Sequence, residues 1–280
     1  LPDAHWYLGF AVARAWAPIQ PWRREGVIME TILSYIPLDI ALIADNFDRF
    51  LYGVWVTLNL TFLSLLLGGL LAIPLAIARA SKHPVFNPLI QTYTYIFRGT
   101  PLLVQTYLIY YGVGQFEFIR HSFLWDPILS SAWWCALIAF TLNTAAYTTE
   151  LLRGSIADTP QGEVEAAIAT GHSYRSRMRR IILPSAFRRA IPAYSNEVIF
   201  MLHGSVVAST ITLQDILGVG RWLNGRYYLA YEGFITAALL YFMIVLCITW
   251  AFRSFERRYL RHLVRRETSA ESEIAPSPVP

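Results

Sequence analysis

Four ionisable side chains lie within otherwise apolar stretches of the sequence: Arg98, Glu150, Glu197 and His203. Asn143 precedes Glu150 by seven positions, or two helical turns, so the two share one face of a helix. A charged group in such a stretch is costly to bury and marks a candidate binding site. The glutamates could replace the water around a cation, and Arg98 could hold a carboxylate. The alternative is an internal ion pair that joins Arg98 to Glu150 or Glu197.

Catalytic and metal-binding chemistry find little support in the sequence. The Ser, His and Asp residues are scattered without the spacing of a nucleophile and its base, and no metal-ligand spacing accompanies His203, which is more simply a packing residue. No glycine-rich phosphate loop is present, so we do not expect ATP to bind to this chain. Cys135 and Cys247 lie in apolar runs and indicate neither a disulfide nor a cluster. The sequence therefore favours a transport protein over a membrane enzyme.

The elements that must position these residues are membrane spans. The chain is 55% hydrophobic and 15% charged, whereas a soluble domain carries about 25% charged residues. A spanning helix needs about 20 apolar residues. Long runs with few charges predict an all-α polytopic membrane protein with five spans, at about 50–78, 88–113, 127–150, 190–212 and 233–252. Arg98 would then lie about 15 Å into the second span.

The distribution of positive charge predicts the orientation of the spans. Counted from residue 29 onward, the segments after the first, third and fifth spans carry two, seven and six Lys and Arg residues, whereas the segments on the other side carry four altogether. Positive residues are enriched in cytoplasmic segments. We therefore expect the C-terminus in the cytoplasm and the start of the first span outside.

The long segment 153–189, between the third and fourth spans, is predicted to be cytoplasmic and helical. Thr159 could cap a helix that begins at Pro160, and Gly171 would end that helix. A second short helix is predicted from about Ser173 to Ile182, ending before Leu183 and Pro184. The arginines of this segment would contact anionic lipid, with docking to an acidic protein surface as the alternative.

A motif in this segment resembles that of a known family. It comprises Glu165, Ala166, Ala167, Gly171, Ile181, Leu183 and Pro184. This spacing matches the EAA loop of membrane subunits of bacterial ABC importers. The sequences Phe97-Arg98-Gly99-Thr100-Pro101 and 143–150 are similar to markers of the polar amino acid subfamily. The sequence from Asn196 to Ser205 resembles that of subunits serving histidine, lysine, arginine and ornithine, or opines. The resemblance covers about residues 29–263.

The resemblance implies a type I permease fold in the bacterial inner membrane, in which the EAA loop couples ATPase closure to alternating access. The implied partners are a homologous second permease subunit that forms a heterodimer with this chain, two ATP-binding subunits that hold ATP and Mg, and a periplasmic solute-binding protein. No cofactor or nucleic acid is expected on this chain. The implied cargo is a basic amino acid or opine, carried past Arg98, Thr100, Asn143, Glu150, Glu197 and His203. A permease for another polar amino acid and an ATP-independent secondary carrier are the alternatives.

Both ends of the chain are expected to lie outside the permease domain, which we place at 29–263. Residues 1–28 fit neither a span nor a signal peptide and are interpreted as a non-native or disordered extension before Met29. A genuine periplasmic or interfacial segment is the alternative. Residues 264–280 are rich in Ser, Glu and Pro and are expected to form a disordered cytoplasmic tail.

Overall fold

The computed structural model describes residues 40–81 and 83–259, so the expectations for 1–28 and 264–280 lie outside the described residues. The α-helices of the described part are, in chain order, α1 (Ile40–Asp45), α2 (Phe47–Ala80), α3 (Phe86–Gly99), α4 (Leu102–Tyr107), α5 (Glu117–Arg120), α6 (Ala132–Ala157), α7 (Gln161–Ala169), α8 (Tyr174–Arg177), α9 (Leu183–Gly204), α10 (Ile216–Tyr227) and α11 (Ala230–Tyr259). Short π-helical and 3₁₀ turns join several of them. The all-α prediction is confirmed.

Three helical segments of the described residues are long and apolar enough to cross a membrane: Phe47–Ala80, Tyr174–Tyr227 and Ala230–Arg258. The first and third of these contain the predicted first and fifth spans. Helix α6 contains most of the predicted third span but begins later, at Ala132. Its buried residues include Asn143, Thr144, Thr148 and Thr149.

The predicted second span is wrong as a single helix. Helix α3 ends at Gly99, the backbone is extended at Thr100 and Pro101, and α4 begins at Leu102. Proline disfavours a helical conformation in the residue before it, which explains the extended Thr100. Beyond α4 the chain continues through a π-helical turn, Leu108–Gly112, and a 3₁₀ turn, Val113–Gln115. The break therefore lies next to Arg98.

The predicted end of the second loop helix is also wrong. Helix α8 begins after Ser173, as expected, but the chain stays helical through the π-helical turn Met178–Ile182 and enters α9 at Leu183. Pro184 is the second residue of α9 and directly follows this π-helical turn. The 153–189 segment is thus joined to a long helix without a break.

Helix α10 was not predicted as a separate element. Asp215, which is fully buried, caps its first turn, because its Oδ1 accepts a hydrogen bond of 2.7 Å from the Gly218 N–H. Asp215 Oδ2 accepts a second hydrogen bond of 3.1 Å from the Tyr241 hydroxyl in α11. These contacts join α10 to α11 through polar atoms that would be costly to bury unpaired.

Helices α2 and α6 pack closely at a pair of small residues. A Cβ atom at Gly68 would overlap the Thr144 Cγ2 methyl and would lie 3.1 Å from the Thr141 carbonyl oxygen. Beside this contact is an apolar core that includes Leu60, Phe140 and Ile211, all fully buried. Glycine at position 68 therefore sets how near α2 comes to α6.

Candidate functional site

The break between α3 and α4 exposes backbone carbonyl groups that a continuous helix would satisfy. Gln105 Nε2 donates to the carbonyl oxygens of Phe97, at 2.8 Å, and Thr100, at 3.0 Å. Asn143 Nδ2 donates to the Phe97 carbonyl oxygen at 3.2 Å and to Gln105 Oε1 at 3.1 Å. Irregular backbone within a membrane protein is tolerated when protein groups satisfy it in this way. Asn143 therefore supports the break as well as facing the site.

A cavity of about 500 Å³ opens at this break. Its lining includes Arg98, Thr100, Asn143, Tyr147 and Glu197. Four of the six residues that the sequence predicts for a substrate pathway thus meet at one place. The Tyr147 hydroxyl donates to the Arg98 carbonyl oxygen at 3.2 Å, and the Arg98 guanidinium lies 5.3 Å from the centre of the Tyr147 ring. Tyr147 thus contacts Arg98 in the lining of the cavity, and the sequence analysis did not single it out.

Glu197 is the buried charge of this cavity. The residue is only 9% exposed, and its Oε1 accepts a hydrogen bond of 3.1 Å from the fully buried Thr144 hydroxyl. No basic side chain of the described residues lies within 4 Å of its carboxylate oxygens. The alternative ion pair between Arg98 and Glu197 is therefore not formed in the described part of the chain. A buried carboxylate with one hydroxyl donor favours a cation beside it.

Glu150 lies in a neighbouring cavity and has its own partners. Its Oε1 is 3.2 Å from Arg79 Nε and accepts a hydrogen bond of 3.0 Å from the Thr94 hydroxyl, and its Oε2 is 2.6 Å from Arg153 Nε. Arg79 also donates to Asn87. The alternative pairing of Arg98 with Glu150 is therefore not formed in the described residues, where Glu150 has two other arginines as partners. Arg98 lines both cavities.

His203 does not join this group. It is exposed near the end of α9 and does not line the cavity that Glu197 faces. Glu197 and His203 are six residues apart, which places them on different faces of a helix. The described residues contain no cluster of His, Cys, Asp and Glu that could hold a metal ion.

The segment that contains the EAA-like motif forms a compact helical corner. Helix α7 ends in a Schellman arrangement: the Gly171 N–H donates to the Ile168 carbonyl at 2.9 Å, and the His172 N–H donates to the Ala167 carbonyl at 3.0 Å. Gly171 has a φ of +77°, the left-handed conformation that favours glycine. The prediction that Gly171 ends the helix is confirmed.

The motif residues divide into an inner and an outer set. Ala167 is 3% exposed, and Ile181, Leu183 and Pro184 are half-buried at the junction with α9. Glu165 and Ala166 are exposed, as is Ile168, which has 55% of its surface accessible. The inner set thus attaches the helix to the spans, and the outer set presents a surface.

The start of α7 differs from the prediction. Thr159 makes no capping hydrogen bond there, and Pro160 rather than Thr159 stands at the N-cap position. Instead the Thr159 hydroxyl accepts a hydrogen bond of 2.8 Å from Arg189 Nη2, which the sequence alone did not single out. The arginine in α9 replaces the local cap with a tertiary contact.

Comparisons with known proteins identify relatives of this chain. Residues 64–261 match the family described as "Binding-protein-dependent transport system inner membrane component". The chain is 42% identical over 221 residues to the octopine transport system permease protein OccM of Rhizobium radiobacter, covering 79% of this chain and 90% of that protein. It is 45% identical over 211 residues to the histidine/lysine/arginine/ornithine permease protein HisM of Salmonella typhimurium, covering 75% and 90%.

A solved structure shares the fold. The crystal structure of an amino acid ABC transporter with histidines superimposes with a TM-score of 0.71 at 30% sequence identity, covering 80% of this chain and all of that one. The fold is that of a type I ABC importer permease. The family match, the two curated relatives and this shared fold together place the chain in the family of inner membrane components of binding-protein-dependent transport systems.

Proposed function

We propose that this chain is the transmembrane subunit of an ATP-driven importer of basic amino acids or related opines, and that its cargo binds between Arg98 and Glu197. The main support is that the exposed guanidinium of Arg98 and the buried carboxylate of Glu197 line one cavity at a helix break. The cavity volume of about 500 Å³ lies within the range of small-molecule sites. The relatives whose names include octopine, lysine and arginine support this class of cargo.

Each end of such a cargo has a complementary group in the cavity. Arg98 supplies a planar fork of N–H donors that matches a carboxylate, which amino acids and opines both carry. Glu197 supplies the negative charge that replaces water around an ammonium or guanidinium group. Thr100 and Tyr147 line the space around Arg98. A neutral amino acid would leave Glu197 buried without a cation.

The test is competition for uptake in a reconstituted complex with its ATPase subunits and a solute-binding protein. Labelled arginine is competed with histidine, octopine and glutamine. We expect Glu197→Gln to lower the affinity for arginine by about 10-fold to 100-fold, because a hydrogen bond to a charged group contributes about 1.5–3 kcal/mol. Glutamine keeps an acceptor for Thr144 and nearly the same shape, so packing is preserved.

His203→Gln is the matched control, because His203 lies in the same helix but outside the cavity. We expect it to leave arginine affinity unchanged. Unaltered arginine selectivity in Glu197→Gln would contradict the binding role. Preferred uptake of glutamine by the wild-type complex would indicate a permease for another polar amino acid, and uptake without ATP would indicate a secondary carrier.

The same proposal assigns α7 to the ATPase contact. Its exposed residues Glu165, Ala166 and Ile168 would face a cytoplasmic ATP-binding subunit, which holds the ATP and Mg, since no nucleotide site is predicted on this chain. The proposal also has the C-terminus in the cytoplasm, and it includes a homologous, non-identical permease subunit as a further partner. We expect Ile168→Asp to reduce co-purification of the ATPase subunits. Retained co-purification and full uptake together would contradict the assignment.

Orientation has an independent test. Under the proposed topology, a cysteine at position 120 is labelled by an impermeant reagent from outside intact cells, and one at position 175 only after permeabilisation. The reverse pattern would contradict the proposed orientation.

A further inference from the structure

We infer that Arg189 is a positioning residue that fixes α7 relative to α6 and α9, so that movement of α7 is passed to the membrane helices. The inference rests on the proposed function, because it concerns how the same helix transmits motion. Arg189 lies in α9, outside the EAA-like motif, and none of the motif residues hydrogen-bonds to it.

The Arg189 guanidinium connects three parts of the chain. Nη1 donates to the Ser185 hydroxyl at 2.7 Å within α9. Nη2 donates to the Ser155 carbonyl oxygen near the end of α6, at 2.9 Å, and to the Thr159 hydroxyl in the connection to α7, at 2.8 Å. One planar group therefore holds the end of α6, the start of α9 and the segment between α6 and α7 in a fixed relation.

A further hydrogen bond extends this contact into α7. The Ser185 hydroxyl donates to Glu163 Oε2 at 3.1 Å while its oxygen accepts from Arg189. Glu163 lies in the first turn of α7, where a negative charge is also favoured by the helix dipole. The chain Arg189, Ser185, Glu163 thus attaches the N-terminal end of α7 to α9 through oriented, charge-assisted bonds.

The C-terminal end of α7 is attached differently. There the helix ends at Gly171 and the chain turns into α8, which continues through a π-helical turn into α9. Packing at this end includes Ala167, Met178 and Ile182, all buried. With both ends attached, α7 can move as a rigid lever; with the Arg189 contacts removed, its N-terminal end would be held only by the chain and by packing.

The test is the ratio of arginine uptake to ATP hydrolysis in the reconstituted complex. We expect Arg189→Ala to lower this ratio by about 10-fold while the ATPase subunits still co-purify. Arg188→Ala is the matched control, because Arg188 is the neighbouring residue of the same helix and is exposed. It should keep the wild-type ratio.

Two further variants distinguish positioning from folding. Arg189→Lys, which keeps the charge but loses the fork, should recover part of the ratio. Ser185→Ala removes the link to Glu163 and the Nη1 bond, but it leaves the Nη2 bonds to Ser155 and Thr159. It should lower the ratio without reducing the amount of complex, and it should add little to Arg189→Ala in the double variant. If Arg189→Ala does not fold, the inference is tested by comparing the ratio of uptake to hydrolysis in Ser185→Ala with that of the wild type.

An unchanged ratio in Ser185→Ala and Arg189→Ala would overturn the inference, as would uptake and hydrolysis falling in equal proportion. Failure of the proposed function is separate from these outcomes. It would appear if the wild-type chain did not co-purify with ATPase subunits and did not couple uptake to ATP hydrolysis.

Discussion

Two adjacent glycines in α2 offer a controlled perturbation of the site. A Cβ atom at Gly68 would overlap the Thr144 methyl and lie 3.1 Å from the Thr141 carbonyl oxygen, whereas one at Gly69 would have the Tyr194 hydroxyl at 3.7 Å as its nearest neighbour. Both positions lie inside the same helix. Gly68→Ala and Gly69→Ala therefore differ in packing and share the change in helix propensity.

The expected magnitudes follow from these distances. Alanine in place of glycine inside a helix gains about 1 kcal/mol, and this gain applies to both variants. Overpacking typically costs about 1–3 kcal/mol and applies only to Gly68→Ala. We therefore expect Gly68→Ala to be about 1–3 kcal/mol less stable than Gly69→Ala. For a chain of this size, 1 kcal/mol corresponds to about 2–4 °C in Tm.

The functional consequence passes through Thr144. Either its side chain rotates or α2 and α6 separate, and both changes disturb the 3.1 Å hydrogen bond from Thr144 to Glu197. We expect Gly68→Ala to reduce arginine affinity and Gly69→Ala to leave it unchanged. Thr144→Ser removes the overlapping methyl and keeps the hydroxyl, so the double variant Gly68→Ala/Thr144→Ser should recover both stability and affinity.

Thermal unfolding of the purified variants in detergent, followed by arginine uptake after reconstitution, measures both effects. A Tm for Gly68→Ala equal to or above that of Gly69→Ala would refute the packing argument. Failure of Thr144→Ser to restore a destabilised Gly68→Ala would show that the conflict lies elsewhere.

Three further substitutions test single contacts. Gly171→Ala should destabilise the end of α7 by about 1–2 kcal/mol, because its φ of +77° disfavours a side chain, although an added Cβ atom would have no neighbouring atom within 4 Å. We expect the backbone amides of residues 161–172 to exchange faster in Gly171→Ala than in Gly171→Asn. Gln105→Leu should cost about 1–3 kcal/mol, since it leaves the Phe97 and Thr100 carbonyls without this donor, and should lower Tm. Asp215→Ala should cost about 0.5–2 kcal/mol through loss of the α10 cap, with Asp215→Asn losing less.

Each of these has an outcome that would count against it. Equal rates of amide exchange in Gly171→Ala and Gly171→Asn would show that the left-handed backbone at position 171 is not the source of the destabilisation. A wild-type Tm in Gln105→Leu would mean that other donors satisfy the helix break. Equal destabilisation by alanine and asparagine at position 215 would show that the cap bond is not the source of the loss.

Local sequence signals predicted much of this protein. The uncharged runs of the first and fifth spans are long enough to require helices, and Gly171 is at a position where the left-handed conformation ends α7. These features depend on neighbours within a few turns of chain. The family resemblance that the EAA-like motif carries was likewise visible in the sequence, and the comparisons confirm the family.

Some helix boundaries that were not predicted nevertheless have local signals in the sequence. Pro101 after Thr100 indicates an extended backbone within an apolar run, and it divides the predicted second span. The continuation of α8 into α9 had no such signal, because a proline at this position ordinarily marks the start of a new helix. Hydropathy averaged over a window of residues does not detect such breaks, because it reports how apolar the window is and not its backbone conformation.

The sequence by itself determined that ionisable side chains lie in apolar helices and that an EAA-like segment connects two of them. Only the tertiary structure decided their partners: Glu150 pairs with Arg79 and Arg153, Glu197 accepts from Thr144, and Arg189 reaches Thr159. The physical reason is that a buried charge can be satisfied by any donor that the packing brings within reach. That distance depends on how closely helices such as α2 and α6 approach, which no local pattern of residues records.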